Sequence, residues 1–340
     1  MWACALALAL ALSCGEPATV LAGEPPSSAG PPRTVVVALD GSGQFQSIQE
    51  AIDQSSDGDT IRIKAGAYSE DVTVHSKEGL RLIGDGVDQV TILGLRRVGS
   101  FHIGKWPYGA TDIEISGLTI HEHGGLALGI FNGRAITLRN VRIKGQLFGQ
   151  EVQGVQIENS VIGGSETTGV SFVDSQAVLV RNLIHDNDHG VKVAGKSHVR
   201  LDHNVITRSL FEGVVVTDEA QAVLVSNTIV KNGGGVAFLG HSRSEVSGNI
   251  VGLNKVGFVI GPSSRALTSY NALYNSEGNF LKTGPPPLPA PDLKADSDLI
   301  LDPRFVDPGL YDFRLRTDTP LTRIGGFAFL GALPPIDGSP

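Results

Sequence analysis

The chain has 340 residues, enough for one long domain or two of ordinary size, and its formal net charge is −8. An acidic chain gives no long-range attraction for duplex DNA or RNA, so no nucleic-acid partner is expected. The 43 glycines and 6% aromatic residues favour tight turns and a core of small aliphatic side chains. Both cysteines, Cys4 and Cys14, lie near the N-terminus, which excludes a disulfide framework and a cysteine metal site elsewhere.

The first 22 residues have the character of an export signal. Residues 3–12 form an apolar run that is too short to span a bilayer, although no Lys or Arg precedes it. Two processing sites fit: cleavage after Ala22, or a lipoprotein signal that ends before Cys14, which would then carry a lipid anchor. Either way we expect export to the periplasm, the outer membrane or the outside of the cell, without a transmembrane span. Residues 23–34 are predicted to be a disordered linker.

The first folded elements follow this linker. Residues 35–39 are an apolar run with strand character, and the DGSG after them is a turn. Ser47 and Glu50 have the spacing of a capping box, and three apolar residues follow at helical spacing. The sequence therefore predicts a short amphipathic helix, which we expect to cover the N-terminal end of the fold.

The middle of the chain repeats with a period of about 22 residues. Asparagine closes a short alternating strand at spacings of 19, 23, 22, 23, 22 and 22, and a glycine before a second strand recurs at spacings of 21, 23, 22 and 22. Two markers that keep one period indicate a solenoid. The two series are Asn140, Asn159, Asn182, Asn204, Asn227, Asn249 and Asn271, and Gly169, Gly190, Gly213, Gly235 and Gly257.

Short Val- and Ile-rich strands at this period predict an all-β, single-domain, right-handed parallel β-helix. Residues 35–281 would form roughly 10–11 coils of about 22 residues, stacked through parallel backbone ladders. The repeated asparagines would hydrogen-bond along the stack at one corner. Residues 282–298 are a Pro-rich loop, and residues 299–340 are predicted to form the last coil and the C-terminal cap.

The segments DGSG, SIQEAID, GDTIRI and GAYSE resemble the N-terminal cap and first coil of β-helix proteins of the pectin-lyase-like group. Pectin methylesterases begin in a similar way, but the later residues contain no counterpart of their catalytic motifs, such as QDTL or DFIFG. The C-terminal LDPRFVDPGLYDFRLRTDTPL resembles an ending common in bacterial β-helix proteins. The resemblance implies the fold and an exported carbohydrate-active or carbohydrate-binding protein, and gives esterase chemistry little support.

The stretch NLIHDNDHGVKV holds two histidines and two aspartates within the repeat. One interpretation is a solvated turn, since equivalent stretches are ordinary polar turns. The other is a charged ribbon that binds an acidic polysaccharide. In that hypothesis Lys192 or Arg208 neutralises a uronate carboxylate. His189 or His185 removes the proton at C5, and Asp188 orients the histidine. The candidate catalytic residues are His185, Asp188, His189, Lys192, Arg208 and Glu212.

A second candidate site is TIHEHGGLAL, in which His121 and His123 form an H-x-H pattern that suits Zn²⁺ or Cu²⁺. No third ligand is identified, and a polar turn is the alternative interpretation. Asp218 and Glu219 lie in a turn where they either contribute to a Ca²⁺ site or are simply solvated. The aromatic pair in GKWPYG either stacks on a sugar ring or packs against the side of the solenoid.

These residues leave three functional hypotheses open. The first is an exported protein that binds or modifies an acidic polysaccharide, with uronan lyase or C5-epimerase chemistry as its most specific form. The second is a non-catalytic surface protein for adhesion or envelope structure. The third is a periplasmic metal-associated protein that uses His121 and His123. Proteins of all three kinds share this solenoid fold, so the fold does not distinguish the hypotheses and the chemistry of the site is needed.

Overall fold

The computed structural model describes residues 31–95, 98–284 and 288–336. The predicted export signal, with Cys14, and all but the end of the predicted linker lie outside these residues. Within the described ranges, no helix is both long and apolar enough to cross a membrane. From Pro32 onward the chain forms one unit, a solenoid in which most coils contribute one strand to each of three parallel sheets.

Sheet 1 is continuous, whereas sheets 2 and 3 are joined because β9 and β11 run through the corner between them. Sheet 1 consists of β1 (Thr34–Val37), β2 (Thr60–Ile63), β5 (Arg81–Gly84), β8 (Thr111–Ser116), β10 (Arg134–Arg139), β12 (Val155–Glu158), β15 (Gln176–Val180), β18 (His198–Asp202), β21 (Gln221–Val225), β24 (Arg243–Ser247) and β27 (Arg265–Ser269). Sheet 2 consists of β3 (Gly66–Ser69), β6 (Val90–Leu93), the first halves of β9 (Thr119–Phe131) and β11 (Arg142–Gln150), β13 (Val161–Gly163), β16 (Leu183–His185), β19 (Val205–Thr207), β22 (Thr228–Val230), β25 (Ile250–Gly252), β28 (Ala272–Tyr274) and β31 (Leu299–Ile300). Sheet 3 consists of β4 (Val72–Val74), β7 (Val98–Ile103), the second halves of β9 and β11, β14 (Thr168–Val173), β17 (His189–Ala194), β20 (Glu212–Val216), β23 (Gly234–Phe238), β26 (Val256–Ile260) and β29 (Gly278–Lys282).

The eleven strands of sheet 1 correspond to eleven coils, which confirms the predicted all-β parallel β-helix and its period. Alternation along each strand sends one side chain inward and the next outward, and parallel register aligns equivalent side chains of successive coils. The interior is therefore built from columns of aliphatic residues. Burying each such side chain stabilises the fold by about 1.5–3 kcal/mol. One fully buried column of sheet 1 is Ile61, Leu82, Ile115, Leu138, Ile157, Leu179, Leu201 and Leu224.

Buried asparagines connect the coils at the corner between sheets 1 and 2. The Asn204 side chain donates to Asn227 Oδ1 at 3.0 Å, and the Asn227 side chain donates to Asn249 Oδ1 at 2.9 Å. The same oxygen of Asn227 accepts from the backbone N–H of Asn204 at 2.9 Å. This ladder runs from Asn182 to Asn271 and ends on Asp298.

Two members of the predicted asparagine series do not belong to this ladder. Asn140 and Asn159 are exposed and adopt positive φ angles of 51° and 49°. They lie one residue earlier, where the chain turns the corner, and Val141 and Ser160 occupy the ladder position there. Asparagine is favoured at the corner position because it tolerates the left-handed conformation. It is favoured at the ladder position because its amide hydrogen-bonds to the neighbouring coils.

A second ladder, which the sequence analysis missed, runs along the corner between sheets 2 and 3. Asn232 donates to Asn254 Oδ1 at 3.3 Å, and Asn254 donates to Asn275 Oδ1 at 3.0 Å. Asn187, in the middle of HDNDH, occupies the equivalent position, is 3% exposed, and accepts from the backbone N–H of Ser165. The central residue of that stretch is therefore a structural one.

The glycine that marks each coil lies next to this second ladder. A Cβ on Gly190 would lie 2.4 Å from the carbonyl oxygen of Gly213, and one on Gly235 would lie 2.6 Å from that of Gly257. Any side chain would therefore collide with the next coil, so the recurring glycine follows from the coil spacing.

The two ends of the solenoid are covered by different segments. The predicted helix, α1 (Ile48–Gln54), buries Ile48, Ala51 and Ile52 over the first coil. Its first turn is capped by Ser47 and also by Glu70, which accepts from two backbone N–H groups.

At the other end, the Pro-rich segment packs against the last coils. Leu288–Pro289 (β30) pairs antiparallel with β29, and Leu293 of the short 3₁₀ helix Pro291–Leu293 packs against the main core.

Residues 301–336, which we call the C-terminal strap, differ from the predicted cap. Of the described residues after 298, only Leu299–Ile300 joins a sheet of the solenoid, and the strap lies along the outer face of sheet 2. Its two hairpins are β32 (Phe305–Asp307) with β33 (Asp312–Leu315), and β34 (Thr322–Ile324) with β35 (Phe327–Phe329). The strap covers this face because the later coils carry apolar outward residues there. They are Val205, Val230, Ile250 and Ala272.

Asn227→Ala is expected to destabilise the protein by about 3 kcal/mol, since it leaves two buried donors of Asn204 without an acceptor. The measurement is the midpoint of chemical unfolding. Asn140→Gly is the control: it removes an exposed asparagine at a position whose positive φ suits glycine. This control should change stability by less than about 0.5 kcal/mol. Equal losses in both variants would contradict the assignment of the ladder.

Candidate functional site

The corner between sheets 2 and 3 carries most of the charged residues that the sequence singled out. Its backbone enters the left-handed conformation in successive coils, with φ of 55° at Asp186, 56° at Arg208 and 55° at Lys231. Side chains of successive coils therefore stack along this corner. The candidates are distributed as follows: His185 ends β16, Asp188 lies in the next turn, His189 and Lys192 lie on β17, Arg208 follows β19, and Glu212 begins β20.

One group of contacts centres on Asp186. Arg208 donates from Nε to Asp186 Oδ1 at 2.6 Å and from Nη2 to Oδ2 at 2.5 Å, so the pair is bidentate. His185 Nδ1 lies 2.6 Å from Asp186 Oδ2 and 3.0 Å from Arg208 Nη2. The hydrogen bonds from Arg208 lower the pKa of Asp186 to about 2.

Arg208 also connects the solenoid to the C-terminal strap. Its guanidinium carbon lies 4.4 Å from the ring centroid of Tyr311, and Lys231 Nζ of the next coil lies 5.0 Å from the same centroid. Because a carboxylate and an aromatic ring already hold Arg208, it is poorly suited to neutralise a substrate carboxylate. Of the two cations considered for that role, Lys192 is the better candidate.

A second group forms where the chain enters sheet 3. His189 Nδ1 lies 3.1 Å from Glu212 Oε2, and the His189 ring stacks on Phe211 at 5.1 Å between centroids. The Nδ1 atom is buried and has no partner in hydrogen-bond geometry among the described residues, so Glu212 is near it by distance alone, whereas one third of the side chain is exposed. The interaction with His189 lowers the pKa of Glu212, which is therefore ionised at neutral pH. A histidine whose inner nitrogen faces a carboxylate is a suitable general base.

The predicted orienting role of Asp188 is not supported by its contacts. The carboxylates beside the two histidines are Asp186, which directly follows His185, and Glu212, which lies on the coil after His189. Asp188 has no ion-pair partner among the described residues. Lys192 is likewise without one; it is exposed and faces outward from the middle of β17.

The H-x-H residues lie on β9, where Glu122 points into the protein and both imidazoles face outward. The rings of His121 and His123 stack at 4.8 Å between centroids. Glu122 is 4% exposed and accepts a hydrogen bond from Ser100 at 2.7 Å. Burial lowers the pKa of His121, and the positive charge of Lys144 lowers it further. A neutral imidazole is the form that binds a metal ion or removes a proton.

No third metal ligand accompanies this pair. In the parts of the chain that the structure describes, no three His, Cys, Asp or Glu residues are grouped to hold a metal ion. Asp218, considered above for Ca²⁺, accepts a hydrogen bond from the backbone N–H of Gly195 at 2.9 Å. Metal binding at His121 and His123 therefore remains a hypothesis that rests on two ligands.

Aromatic side chains that the sequence analysis did not single out lie on the outer face of sheet 3. His102 stacks on Phe131 at 5.9 Å between centroids, and Phe131 contacts Phe148 at 6.0 Å. Burial lowers the pKa of His102, so this ring is neutral at physiological pH. Trp106 and Tyr108, in the loop after β7, are 74% and 63% exposed and do not pack against the side of the solenoid.

His102 and Phe148 lie on one line that crosses five coils of sheet 3. In the parallel register His102, Gly129, Phe148, Ser171 and Lys192 are successive partners. We call this line, with Phe131 beside it, the outer strip. At about 4.8 Å per coil it extends for roughly 19 Å. Aromatic rings line its first half, and it ends at Lys192, which has no ion-pair partner among the described residues and lies on the same strand as His189.

Comparison with known proteins assigns the chain to a class of solenoids. The family described as "Right handed beta helix region" matches residues 103–276, and the chain belongs to it. The pectinesterase family matches residues 34–118. Solved structures with a similar fold include a polygalacturonase from Erwinia carotovora (12% identity, TM-score 0.55, 82% of this chain and 98% of that one) and pectate lyase Pel9A (12% identity, TM-score 0.52, 89% and 96%). These likenesses show the pectin-lyase-like fold.

The curated relatives are plant pectinesterases, matched over short segments. A probable pectinesterase/pectinesterase inhibitor of Arabidopsis thaliana is 42% identical over 74 residues, which is 21% of this chain and 14% of the relative. Pectinesterase 2 of Citrus sinensis is 33% identical over 114 residues, which is 32% of this chain and 19% of the relative. The chain therefore spans less than a fifth of the length of either relative.

Asp186→Asn is expected to make the protein less sensitive to acid. Because the folded-state pKa of about 2 lies below that of an unfolded aspartate, the ionised group stabilises the fold above about pH 4. This contribution is lost as the pH falls from about 4 to about 2. The melting temperature of the wild type should therefore fall more steeply in that window than that of the variant. Asp188→Asn, which removes an unpaired carboxylate nearby, should follow the wild type.

Lys144→Gln should raise the pKa of His121, because it removes a cation that disfavours the protonated ring. The pKa is measured by NMR titration of the imidazole Cε1 proton. Lys231→Gln, the same change at a distant coil, should leave the His121 titration unchanged. An unaltered titration in Lys144→Gln would show that the two side chains do not interact.

Proposed function

We propose that this protein binds and modifies an acidic polysaccharide of the uronate class along the outer strip. The observation that carries the proposal is that His102 and Phe148, with Phe131 beside them, share one line of the parallel register with Lys192, which lies two coils beyond Phe148. Aromatic faces bind the apolar faces of sugar rings, and a lysine binds a carboxylate. The predicted export signal is consistent with a substrate outside the cytoplasm.

The chemistry proposed for this site is proton removal at C5 of a uronate. Lys192 and His189 lie on the same strand, three residues or roughly 10 Å apart along it. Lys192 neutralises the sugar carboxylate, which stabilises the negative charge that develops when the C5 proton leaves. His189 accepts that proton, and Glu212 orients the imidazole. Elimination of the linked sugar then gives a lyase, whereas return of a proton to the opposite face gives an epimerase.

Removal of esters from an esterified uronan is the second candidate function. The match of residues 34–118 to the pectinesterase family favours it. In this case the ionised Glu212 accepts a proton from a water molecule that attacks the ester carbonyl, and the proton then passes to the departing alkoxide, which leaves as methanol. The substrate class and the outer strip are common to both candidates, and only the bond that is broken differs.

One assay separates these functions. The protein is incubated with polygalacturonate, methyl-esterified pectin, alginate and hyaluronan, each with and without a chelator. Ultraviolet absorbance detects unsaturated uronate, NMR detects altered sugar stereochemistry, and a methanol assay detects ester removal. Unsaturated or epimerised uronate supports the first candidate, and methanol release supports the second. A protein that changes none of these polymers and binds none of them would overturn the proposal.

Lys192→Gln and His189→Ala are each expected to lower kcat/KM by about 10²–10⁴-fold, the usual contribution of a positioned acid–base or charge-stabilising group. Lys255→Gln is the matched control, since it removes an exposed lysine from a later coil, away from the outer strip. Melting temperatures should be similar to the wild type in Lys192→Gln and Lys255→Gln, whose side chains are exposed. His189→Ala also removes the stacking on Phe211 and the partner of Glu212, so its activity is measured at a temperature at which the variant is fully folded. Full activity in His189→Ala would remove this residue from the mechanism.

A further inference from the structure

The outer face of sheet 1 divides into two halves with different charge arrangements. In the first half, arginines and glutamates of successive coils alternate and pair: Arg81 Nε lies 3.4 Å from Glu114, and Arg139 lies 3.6 Å from Glu114 and 3.3 Å from Glu158. The charges of these coils are therefore compensated within the sheet.

The second half lacks this compensation along one row. Gln176, His198, Gln221, Arg243 and Arg265 are successive partners in the parallel register, and all five are exposed. We call these five residues the basic row. It contains no carboxylate, and neither arginine forms an ion pair or a side-chain hydrogen bond among the described residues.

Two arginines in direct register repel each other, and this arrangement costs stability when nothing lies between them. Glu245, two residues from Arg243, and Glu219, which lines the same depression as Arg243, are nearby but form no ion pair with either arginine. Because each of the five coils contributes one residue to the basic row, neighbouring side chains of the row are about 4.8 Å apart. The row is therefore an array of donors that is regular, exposed and uncompensated.

A shallow trough runs beside the basic row. Its two parts share Gln221 and Val223 and together extend from Gly154 to Leu267. Along its floor, Val178, Val223 and Leu267 alternate in register with Arg200 and Glu245, and Leu267 is 53% exposed. The trough thus offers apolar side chains interrupted by one cation and one carboxylate, with cationic and amide donors on one rim.

We propose that the basic row and its trough bind a single anionic glycan chain on a face separate from the outer strip. The single file of donors and the apolar side chains between Arg200 and Glu245 match a thin chain that carries apolar sugar faces and anionic groups at intervals. The net charge of −8 opposes every polyanion, and it opposes a membrane surface or a nucleic acid most, because these present a denser negative charge than a single glycan chain. The row would hold a long polymer while another part of it reaches the site.

The test is a binding measurement that does not depend on catalysis. Dissociation constants for an oligogalacturonate and for a heparin oligosaccharide are measured at low salt. The protein carries Lys192→Gln, which weakens glycan binding at the outer strip. Adding Arg243→Gln and Arg265→Gln should weaken binding by about tenfold, and added salt should weaken the parent protein more than the variant. Whether carboxylates or sulfates are preferred follows from the two ligands.

Arg81→Gln with Arg139→Gln is the matched control, since it removes two half-buried arginines from the compensated half of the same face. It should change the affinity by less than about twofold. An unchanged affinity in the Arg243 and Arg265 variant, or equal losses in the control, would overturn the inference. Tighter binding of single-stranded DNA or anionic vesicles than of either glycan would overturn it too. Because binding is read separately from turnover, failure of the proposed chemistry leaves this test valid.

Discussion

Register between coils is the constraint on which the rest of this structure depends. The backbone hydrogen bonds of a parallel solenoid join one coil to the next, so a residue at a given position meets the same position of its neighbours. A buried amide must therefore find its partner about 22 residues away, as Asn204 does in Asn227. The same constraint excludes a Cβ at Gly190. It also decides whether outward charges attract, as between Arg139 and Glu158, or repel.

The repeat is visible in the sequence because each coil satisfies this constraint in the same way. The fold, its period and the N-terminal helix could therefore be predicted. The asparagine ladder could be predicted only in part, because Asn140 and Asn159 occur one residue from the ladder position and look equivalent in the sequence. The strap could not be placed, because its contacts depend on which face of the solenoid carries uncovered apolar residues.

The candidate site illustrates a further limit. Sequence patterns find titratable residues, but they do not reveal which neighbours compensate them. Arg208 resembles a free cation in the sequence, yet it is held by Asp186 of the previous coil and by Tyr311 of the strap. The line from His102 through Gly129 to Phe148 was missed because its spacings of 27 and 19 residues differ from the period and because its middle position is a glycine.

The strap changes how the solenoid can come apart. Stacked coils contact only their neighbours, so a bare solenoid can fray one coil at a time from an open end. Here the backbone N–H of Ala332 donates to Thr228 across 104 residues of sequence, and that of Gly331 donates to the carbonyl oxygen of Gly248. The strap crosses several coils at once, so the last of them cannot unwind while it stays docked. The C-terminal coils therefore unfold together, and the strap raises the activation barrier to their unfolding. A higher barrier prolongs the lifetime of the folded protein where no chaperone refolds unfolded chains.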